Sequence, residues 1–248
     1  MKIYQQPEAI IESWQWGDAA MRNLTGVLIR EVKKLSPQQI LDAGCGSGRL
    51  TLQMAKAGFA IEGVDFEPKA LELAEKIRDK MGLKVVFHRG SLADEEAPAL
   101  GQYDAVICSE VLEHIPDYPR VVKNLAALTR PGGYLLVTVP KDPELFSVLD
   151  EYGGHLRRFE WRQLQEVLEA EFEILDHFTV GFPFMLLMVK VYLAGLKLGK
   201  REHQPEELWR SSFFQKIISR LMYGLCRVDN LFNRTNWGTN WVVKARKK

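Results

Sequence analysis

The sequence predicts an α/β fold, a doubly wound, largely parallel sheet with helices on both faces, and three observations predict it. Short apolar runs alternate with amphipathic stretches from Gln39 to Val180. A glycine-rich turn follows the first run directly. The middle run, Tyr103 to Cys108, is apolar at nearly every position, as a strand covered on both faces must be. In chain order, Ile40-Leu41 leads into the glycine loop and a helix at about 49–57. Phe59 to Val64 is a strand ending at Asp65. A helix over Pro68–Met81 starts on a proline, where a missing N–H costs least. Strands follow at Lys84–His88 and Tyr103–Cys108, then a helix at about 119–129 stopped by Pro131-Gly132-Gly133. Tyr134 to Val139 is a strand ended by Pro140, Trp161–Ala170 a helix, Phe172–Val180 a strand and Asn240–Ala245 the last strand.

Four segments follow from this pattern. Residues 1–37 form an N-terminal helical segment with Trp14, Trp16, Leu24, Val27, Leu28 and Val32 as apolar positions; 38–181 are the core; 182–236 are a helical insertion between the last two strands; and 237–248 carry the final strand. At 248 residues and 46% apolar, the chain can bury a sizeable core. Three scattered cysteines, Cys45, Cys108 and Cys226, make no disulfide framework or zinc site, which fits a reducing, cytoplasmic setting. The start of the chain shows no signal peptide.

The net charge of +1 conceals an asymmetry. Residues 1–181 hold 20 Lys/Arg against 28 Asp/Glu, a balance of −8, whereas 182–248 hold 13 against 4, a balance of +9, and the two sum to +1. Phe182–Gly199 is nearly long enough to span a bilayer but is broken by Lys190 and Lys197, which share one helical face. In 211–232, Phe213, Phe214, Ile217, Ile218, Leu221, Leu225, Val228 and Phe232 line one face and Lys216, Arg220 and Arg227 the other. Three readings compete. The insertion is a lid laid on the sheet over an acceptor pocket, an in-plane dock on the anionic inner face of a membrane, or a dimer interface, so the chain is a monomer or a homodimer. Nucleic acid is disfavoured, because the basic residues alternate with apolar ones instead of forming a polar patch.

The chemistry begins at Asp42-Ala-Gly44-Cys45-Gly46-Ser-Gly48. Glycines after a strand let the backbone approach a ligand closely, and the helix N-terminus beyond them favours anionic or acceptor groups. A dinucleotide loop needs G-x-G-x-x-G; here the third glycine falls one residue early, at Gly48, and Arg49 takes its place. The carboxylate of Asp42 would repel a pyrophosphate and suits a cationic ligand. Asp65, about 20 residues beyond the loop, can accept both hydroxyls of a ribose. Gly90-Ser91-Leu92 follows the third strand, and Cys108-Ser109-Glu110 closes the fourth. All four elements fall at carboxyl ends of strands, where ligands bind in open α/β sheets.

These motifs, with Val64-Asp65, Phe87-His-Arg-Gly-Ser-Leu, Tyr103-Asp-Ala-Val-Ile-Cys-Ser-Glu-Val-Leu-Glu-His-Ile-Pro-Asp and Arg130-Pro-Gly-Gly, resemble the class I S-adenosylmethionine-dependent methyltransferases over residues 38–180. The similarity is to the methyltransferase type 11 branch that includes the ubiquinone-biosynthesis O-methyltransferases. It implies a Rossmann-like seven-stranded sheet with its last strand antiparallel, S-adenosyl-L-methionine as donor and S-adenosyl-L-homocysteine as product. It also implies ribose binding by Asp65 with Phe66 beside it, methionine binding by Gly44 and Gly46, and adenine binding by Ser91 and Leu92. Asp42, Cys45, Gly48, Ser109 and Glu110 complete the expected cofactor set. Where many relatives have Asp, this chain has Ser91, which can make one hydrogen bond to the adenine.

Methyl transfer from a sulfonium is a single in-line displacement needing alignment and, for a hydroxyl acceptor, removal of a proton. His114 and His155 are the candidate bases, because both follow strands on the ligand side and titrate near neutral pH. Arg157 and Arg158 stand near them, able to meet a carboxylate or phosphate. The run CSEV replaces an NPPY-like sequence after the fourth strand, which disfavours methylation of DNA bases, and no acidic cluster of metal-ligand type is expected. The reading is a methyltransferase acting on a small, lipophilic acceptor, with oxygen favoured over nitrogen or carbon; the alternative is a catalytically silent binding scaffold that works through the insertion.

Overall fold

A computed structural model of the chain describes residues 19–198 and 213–248, with Ile11 and Trp14. Trp16, the side chains of Phe213, Phe214 and Lys216, and that of Lys197 lie outside the described residues. The elements in chain order are α1 (Ala19–Leu35), β1 (Ile40–Ala43), α2 (Arg49–Lys56), β2 (Ile61–Asp65), α3 (Pro68–Met81), β3 (Phe87–Arg89) and β4 (Tyr103–Ser109). They continue with α4 (Tyr118–Leu128), β5 (Thr129–Pro140), α5 (Val148–Gly153), α6 (Trp161–Glu169), β6 (Phe172–Val180), α7 (Phe184–Leu198), α8 (Phe213–Asp229) and β7 (Asn240–Lys247).

The seven strands form one sheet in the order β3-β2-β1-β4-β5-β7-β6. Ile40 of β1 pairs in parallel with Ile61 on one side and Ala105 on the other. β7 runs antiparallel to β5, from Tyr134↔Arg246 to Pro140↔Asn240, so the implied antiparallel last strand is present. The chain winds outward from β1 through β2 to β3, then returns to β4 on the other side of β1. The loops after β1 and β4 therefore diverge and open a crevice at their carboxyl ends.

Alternation along each strand explains why the strands read as continuous apolar runs. Leu41, Ala43, Val106, Cys108, Leu135 and Val137 face one buried cluster with Leu125 and Leu164. Ile40, Ala105, Ile107 and Leu136 face the opposite one with Leu28, Val32 and Met54. Neither face of the central sheet meets water, so no polar alternation survives in the sequence.

Element boundaries shift in places. The third strand is shorter than expected and ends at Arg89. The Arg130-Pro-Gly-Gly turn does not separate helix from strand. β5 starts at Thr129, and Tyr103 and Ala105 of β4 pair with Thr129 and Tyr134, so the extra residues bulge out of a continuing strand, with Gly132 at φ 72°. The helix α5 was not expected; its sequence signal is the capping box of Ser147 and Asp150.

The chain divides into two compact units. One comprises Leu28–Phe178 with Asn240–Lys248 and holds most of the sheet. The other comprises Met1–Val27 with Thr179–Thr239, so the N-terminal segment and the insertion, read as separate pieces, form one unit. Within it, Arg22 donates to Ser219 at 3.0 Å, and Asn23 and Asn230 exchange amide hydrogen bonds. The buried carboxylate of Asp229 accepts from the backbone N–H groups of Phe184 and Met185, at 2.9 and 3.0 Å, and so caps α7 from the end of α8. Of the three readings of the insertion, the lid is the one that packs the apolar stripe of α8 within the chain. The buried side of the helix carries Ser219, Cys226 and Asp229, whereas Ile218, Leu221, Leu225 and Val228 are exposed. The polar caps and the Arg22 and Asn23 bonds fix which side turns inward, and the apolar stripe lies on the other.

Candidate active site

The glycine loop after β1 is built around backbone angles that side chains resist. Gly44, Gly46 and Gly48 have φ of 83°, 52° and 81°. A Cβ on Gly44 would meet Val111 at 2.5 Å, so that glycine serves packing under the loop. A Cβ on Gly46 would meet nothing within 4 Å, which leaves open space above that part of the loop. Gly48 begins α2 with no side-chain cap, so the helix N-terminus keeps donors available for a ligand.

Two carboxylates hold the loop. Asp65 at the end of β2 accepts from Gly46 N at 2.8 Å with one oxygen and from Glu67 N at 2.9 Å with the other. Each oxygen keeps a lone pair for a further donor. Phe66, beside it, is 66% exposed, an apolar surface open to solvent. Asp42 is buried and accepts the Thr51 hydroxyl at 2.6 Å; burial, the leading cause, pushes its carboxyl up to about 6. Asp42 thus ties β1 to α2. Cys45 is buried beneath the loop and its thiol is raised, first by burial and then by Asp42 and Asp65. After β3, Ser91 Oγ accepts from Ala93 N at 3.1 Å and Leu92 is buried. Asn124 of α4 fixes this segment by donating to the carbonyls of Leu92 and Asp94, both at 2.9 Å. Sequence reading missed Asn124; its signal is a lone amide amid the apolar residues of VVKNLAAL.

The carboxyl end of β4 carries a polar chain. Glu110, at φ 56°, accepts from Thr138 Oγ1 and from Asn240 Nδ2, each at 2.8 Å. Ser109 Oγ lies 2.8 Å from Thr138 Oγ1, and since that hydroxyl already donates to Glu110, Ser109 is the donor. Ser109 and Glu110 therefore sit in a network spanning β4, β5 and β7, which the spacing of these residues along the chain gave no means to see.

Beyond it, three residues meet that the sequence separates. Glu113 is wholly buried, and neither carboxylate oxygen has a hydrogen-bond partner among the described residues. Burial and then the Glu110 charge raise its pKa well above the usual carboxylate range. His114 Nδ1 lies 3.0 Å from the Gly154 carbonyl, and His155 Nδ1 lies 3.0 Å from Asp150 Oδ1. The two imidazoles pack edge to face with centroids 4.8 Å apart. Asp150 is the hub: it also accepts from Arg158 Nε at 2.8 Å and from Ser147 N and Oγ. Arg157 donates to the Ile115 carbonyl at 2.7 Å and lies over the Tyr118 ring, so it ties the loop after β5 to the loop after β4, while Arg158 braces the loop after β5 through Asp150 and the Lys141 carbonyl. Burial, the largest cause, lowers the His155 pKa. One ligand atom from each of Glu113, His114 and His155 lies within 4.8 Å of the others, a grouping that could hold a metal ion. His155 comes from a loop far along the chain, so no motif spacing could show it.

A family model described as a methyltransferase domain matches residues 20–176. The chain belongs to that family. Its fold and the resemblance of its motifs make it a class I member, whose methyl donor is S-adenosylmethionine. It is 40% identical over 113 residues to the ubiquinone biosynthesis O-methyltransferase of Bordetella pertussis, which covers 45% of this chain and 47% of that protein. Against the enzyme of the same name from Vibrio parahaemolyticus it is 36% identical over 108 residues, 44% and 46% of the two chains. The matches thus span about half the length of these relatives. Among solved structures, magnesium protoporphyrin IX methyltransferase from Synechocystis with bound S-adenosylhomocysteine aligns with a TM-score of 0.58 at 17% identity, over 92% of this chain and 84% of the other. The N-methyltransferase NodS of Bradyrhizobium japonicum, also with S-adenosylhomocysteine, gives 0.52 at 13%, over 88% and 85%. At these identities the structures share the fold.

The site residues fit the family's cofactor. Gly46 leaves a space that any side chain would enter, Asp65 offers remaining acceptor capacity beside it, and exposed Phe66 supplies an apolar surface next to that carboxylate.

Proposed function

We propose that this chain transfers a methyl group from S-adenosylmethionine to a hydroxyl of a small, lipophilic acceptor. The observation that carries the reading is the pairing of two differently built ends within one sheet: a clamped glycine loop with open space at Gly46, and imidazoles held by fixed partners after β4 and β5. Asp65 and Phe66 hold the ribose side, Gly44, Cys45, Gly46 and Gly48 present backbone to the methionine part, and Ser91 and Leu92 flank the adenine. Asp42, Ser109 and Glu110 support these contacts from beneath. The bound cofactor supplies an electrophilic methyl group on sulfur: as the acceptor oxygen forms its new C–O bond, the C–S bond breaks and the thioether leaves neutral. His114 and His155 serve the acceptor, drawing the hydroxyl proton off toward solvent. The O-methyltransferase name of the 40%-identical relatives favours oxygen, and their naming for ubiquinone biosynthesis favours a lipophilic molecule.

Calorimetry with S-adenosylhomocysteine, followed by turnover on a panel of phenols, amines and carbon acids, tests the reading. No binding, or binding unchanged by Asp65→Ala, overturns it. Methylation of amines or carbon acids only reassigns the acceptor atom, and binding without any turnover turns the reading to the silent scaffold.

The second unit supports a site of action. Ile218, Leu221, Leu225 and Val228 form an exposed apolar stripe on α8, with exposed Arg220 and Arg227 along its border. No helix of the described residues is long and apolar enough to cross a membrane. An anionic lipid surface matches both the apolar face and the basic charge, so we place this unit in the plane of such a surface, at the inner face, where a lipophilic acceptor would be found. Co-sedimentation with vesicles of phosphatidylglycerol that falls with salt is expected. Equal sedimentation after Leu221→Glu and Leu225→Glu together overturns this placement.

A further inference from the structure

The crevice meets one end of its cofactor with a carboxylate and the other with a single hydroxyl. We infer that this chain does not depend on the 6-amino group of the purine in its methyl donor, because Ser91 stands where that group would be read, and that it binds donors whose purine lacks the group. The inference deepens the methyl-transfer reading and rests on it for the course of the cofactor.

Strand order places the purine. The glycine loop follows β1, Asp65 ends the neighbouring β2, and Gly90 to Leu92 follow β3 at the rim of the sheet. The three steps are joined through one residue. Asp65 accepts from Gly46 N with its carboxylate at 2.8 Å, and its own carbonyl accepts from Gly90 N at 3.0 Å. A ligand with its methionine part over Gly46 and its ribose on Asp65 therefore lays its base over the residues that follow Gly90. Exposed Phe66, next to Asp65, supplies an aromatic surface there. Contact with a ring holds a base through its π-face, whatever stands at position 6.

Few polar groups in this segment remain to read the edge of the base. The Gly90 N–H is spent on Asp65, and the Ala93 N–H on Ser91 Oγ at 3.1 Å. The carbonyls of Leu92 and Asp94 both accept from the buried amide of Asn124, so they are turned toward α4. Ser91 keeps one lone pair and one rotatable proton. A hydroxyl in that state accepts from a donor or gives its proton to an acceptor, so it does not make an amino group a requirement. A carboxylate at the same position would only accept, through a charge-assisted bond about twice as strong, and would demand a donor. The next acids along the chain, Asp94, Glu95 and Glu96, are exposed and begin at the residue whose carbonyl Asn124 holds.

The test uses the full chain and two ligands: S-adenosylhomocysteine, and its analogue built on purine riboside, with hydrogen in place of the 6-amino group. The analogue keeps both ring acceptors, N1 and N3. Calorimetry measures the two with the parent chain and with Ser91→Asp, which retains an acceptor for the Ala93 N–H and so preserves the turn. The parent should bind the two ligands within about fivefold of each other, the range of one neutral hydrogen bond. Ser91→Asp should prefer S-adenosylhomocysteine by about 10–100-fold, since its carboxylate pairs with the amino group alone. A parent preference for S-adenosylhomocysteine above about fivefold overturns the inference, whichever acceptor causes it, Asp94, Glu95 and Glu96 included. An equal ratio in the two chains overturns the role of Ser91 and the inference with it. Should Ser91→Asp fail to fold, the parent ratio decides alone. The two readings fail differently: no binding of either ligand overturns methyl transfer together with the inference, whereas S-adenosylhomocysteine bound and the analogue lost overturns the inference alone.

Discussion

The loops after β1 and β2 and the loops after β4 and β5 stand at the same edge of one sheet, yet they are finished to different degrees. On the first side every carboxylate is satisfied from within: Asp65 by two backbone N–H groups, Asp42 by Thr51. On the second side the Glu113 carboxylate has no hydrogen-bond partner among the described residues, and each of the two imidazoles is held through one nitrogen. A ligand that presents donors, such as a ribose, needs a preformed acceptor. A site that must take up a cation or a proton needs unspent acceptors, and unspent acceptors destabilise the chain until they are used. On the proposed function, the difference separates binding a constant cofactor from acting on a variable acceptor.

The largest effects are expected in the glycine loop, where two neighbouring glycines should fail differently. Gly44→Ala forces a left-handed non-glycine residue and a 2.5 Å clash with Val111, and should cost about 3 kcal/mol of stability. Gly46→Ala meets nothing and should cost only about 1 kcal/mol, yet lose S-adenosylhomocysteine binding, because its methyl group enters the ligand space. Thermal denaturation beside calorimetry distinguishes them; equal losses of stability would break the assignment of Gly44 to packing and Gly46 to the ligand.

Asp42 gives a pH-dependent effect of similar size. Its carboxyl is at about 6 in the fold against 3.8 as the reference, so the folded state resists ionisation. Stability is unaffected below the lower value, falls as pH rises between the two, and is reduced by a constant amount above. That amount is about 3 kcal/mol at most. Asp42→Asn should therefore match the parent near pH 4 and exceed it in chemical denaturation at pH 7–8. A constant difference across that range would mean that the Thr51 bond outweighs burial.

Asp65→Asn removes a charge-assisted acceptor and should weaken S-adenosylhomocysteine by about 10–100-fold, with the fold retained. The smallest effect, and of opposite sign, belongs to the other side. Glu113→Met fills the same space without orphaned oxygens and should raise stability by about 1–2 kcal/mol while abolishing turnover. A loss of stability instead would show that Glu113 has a structural partner and would erase the contrast between the two sides.

How much was legible follows the same division. Gly44 to Gly48 and Asp65 could be read because the loop needs glycine's backbone freedom within a few residues and the acid follows on the next strand. Asn124 and Asn240 could not, because each acts on a residue far from it in the chain: Leu92 and Glu110 respectively. The pairing of the N-terminal segment with the insertion was hidden for the same reason, resting on Arg22–Ser219 and on Asn23 with Asn230.

By itself the sequence determined the sheet, its strand alternation and the cofactor loop, since these follow from local periodicity, glycine conformation and short spacings. The tertiary structure decided which face of α8 is left exposed, which carboxylates are spent, and that Glu113, His114 and His155 come together. Burial and hydrogen-bond satisfaction are properties of the packed chain. A carboxylate's sequence neighbours do not reveal whether folding gives it a partner or leaves it waiting for one.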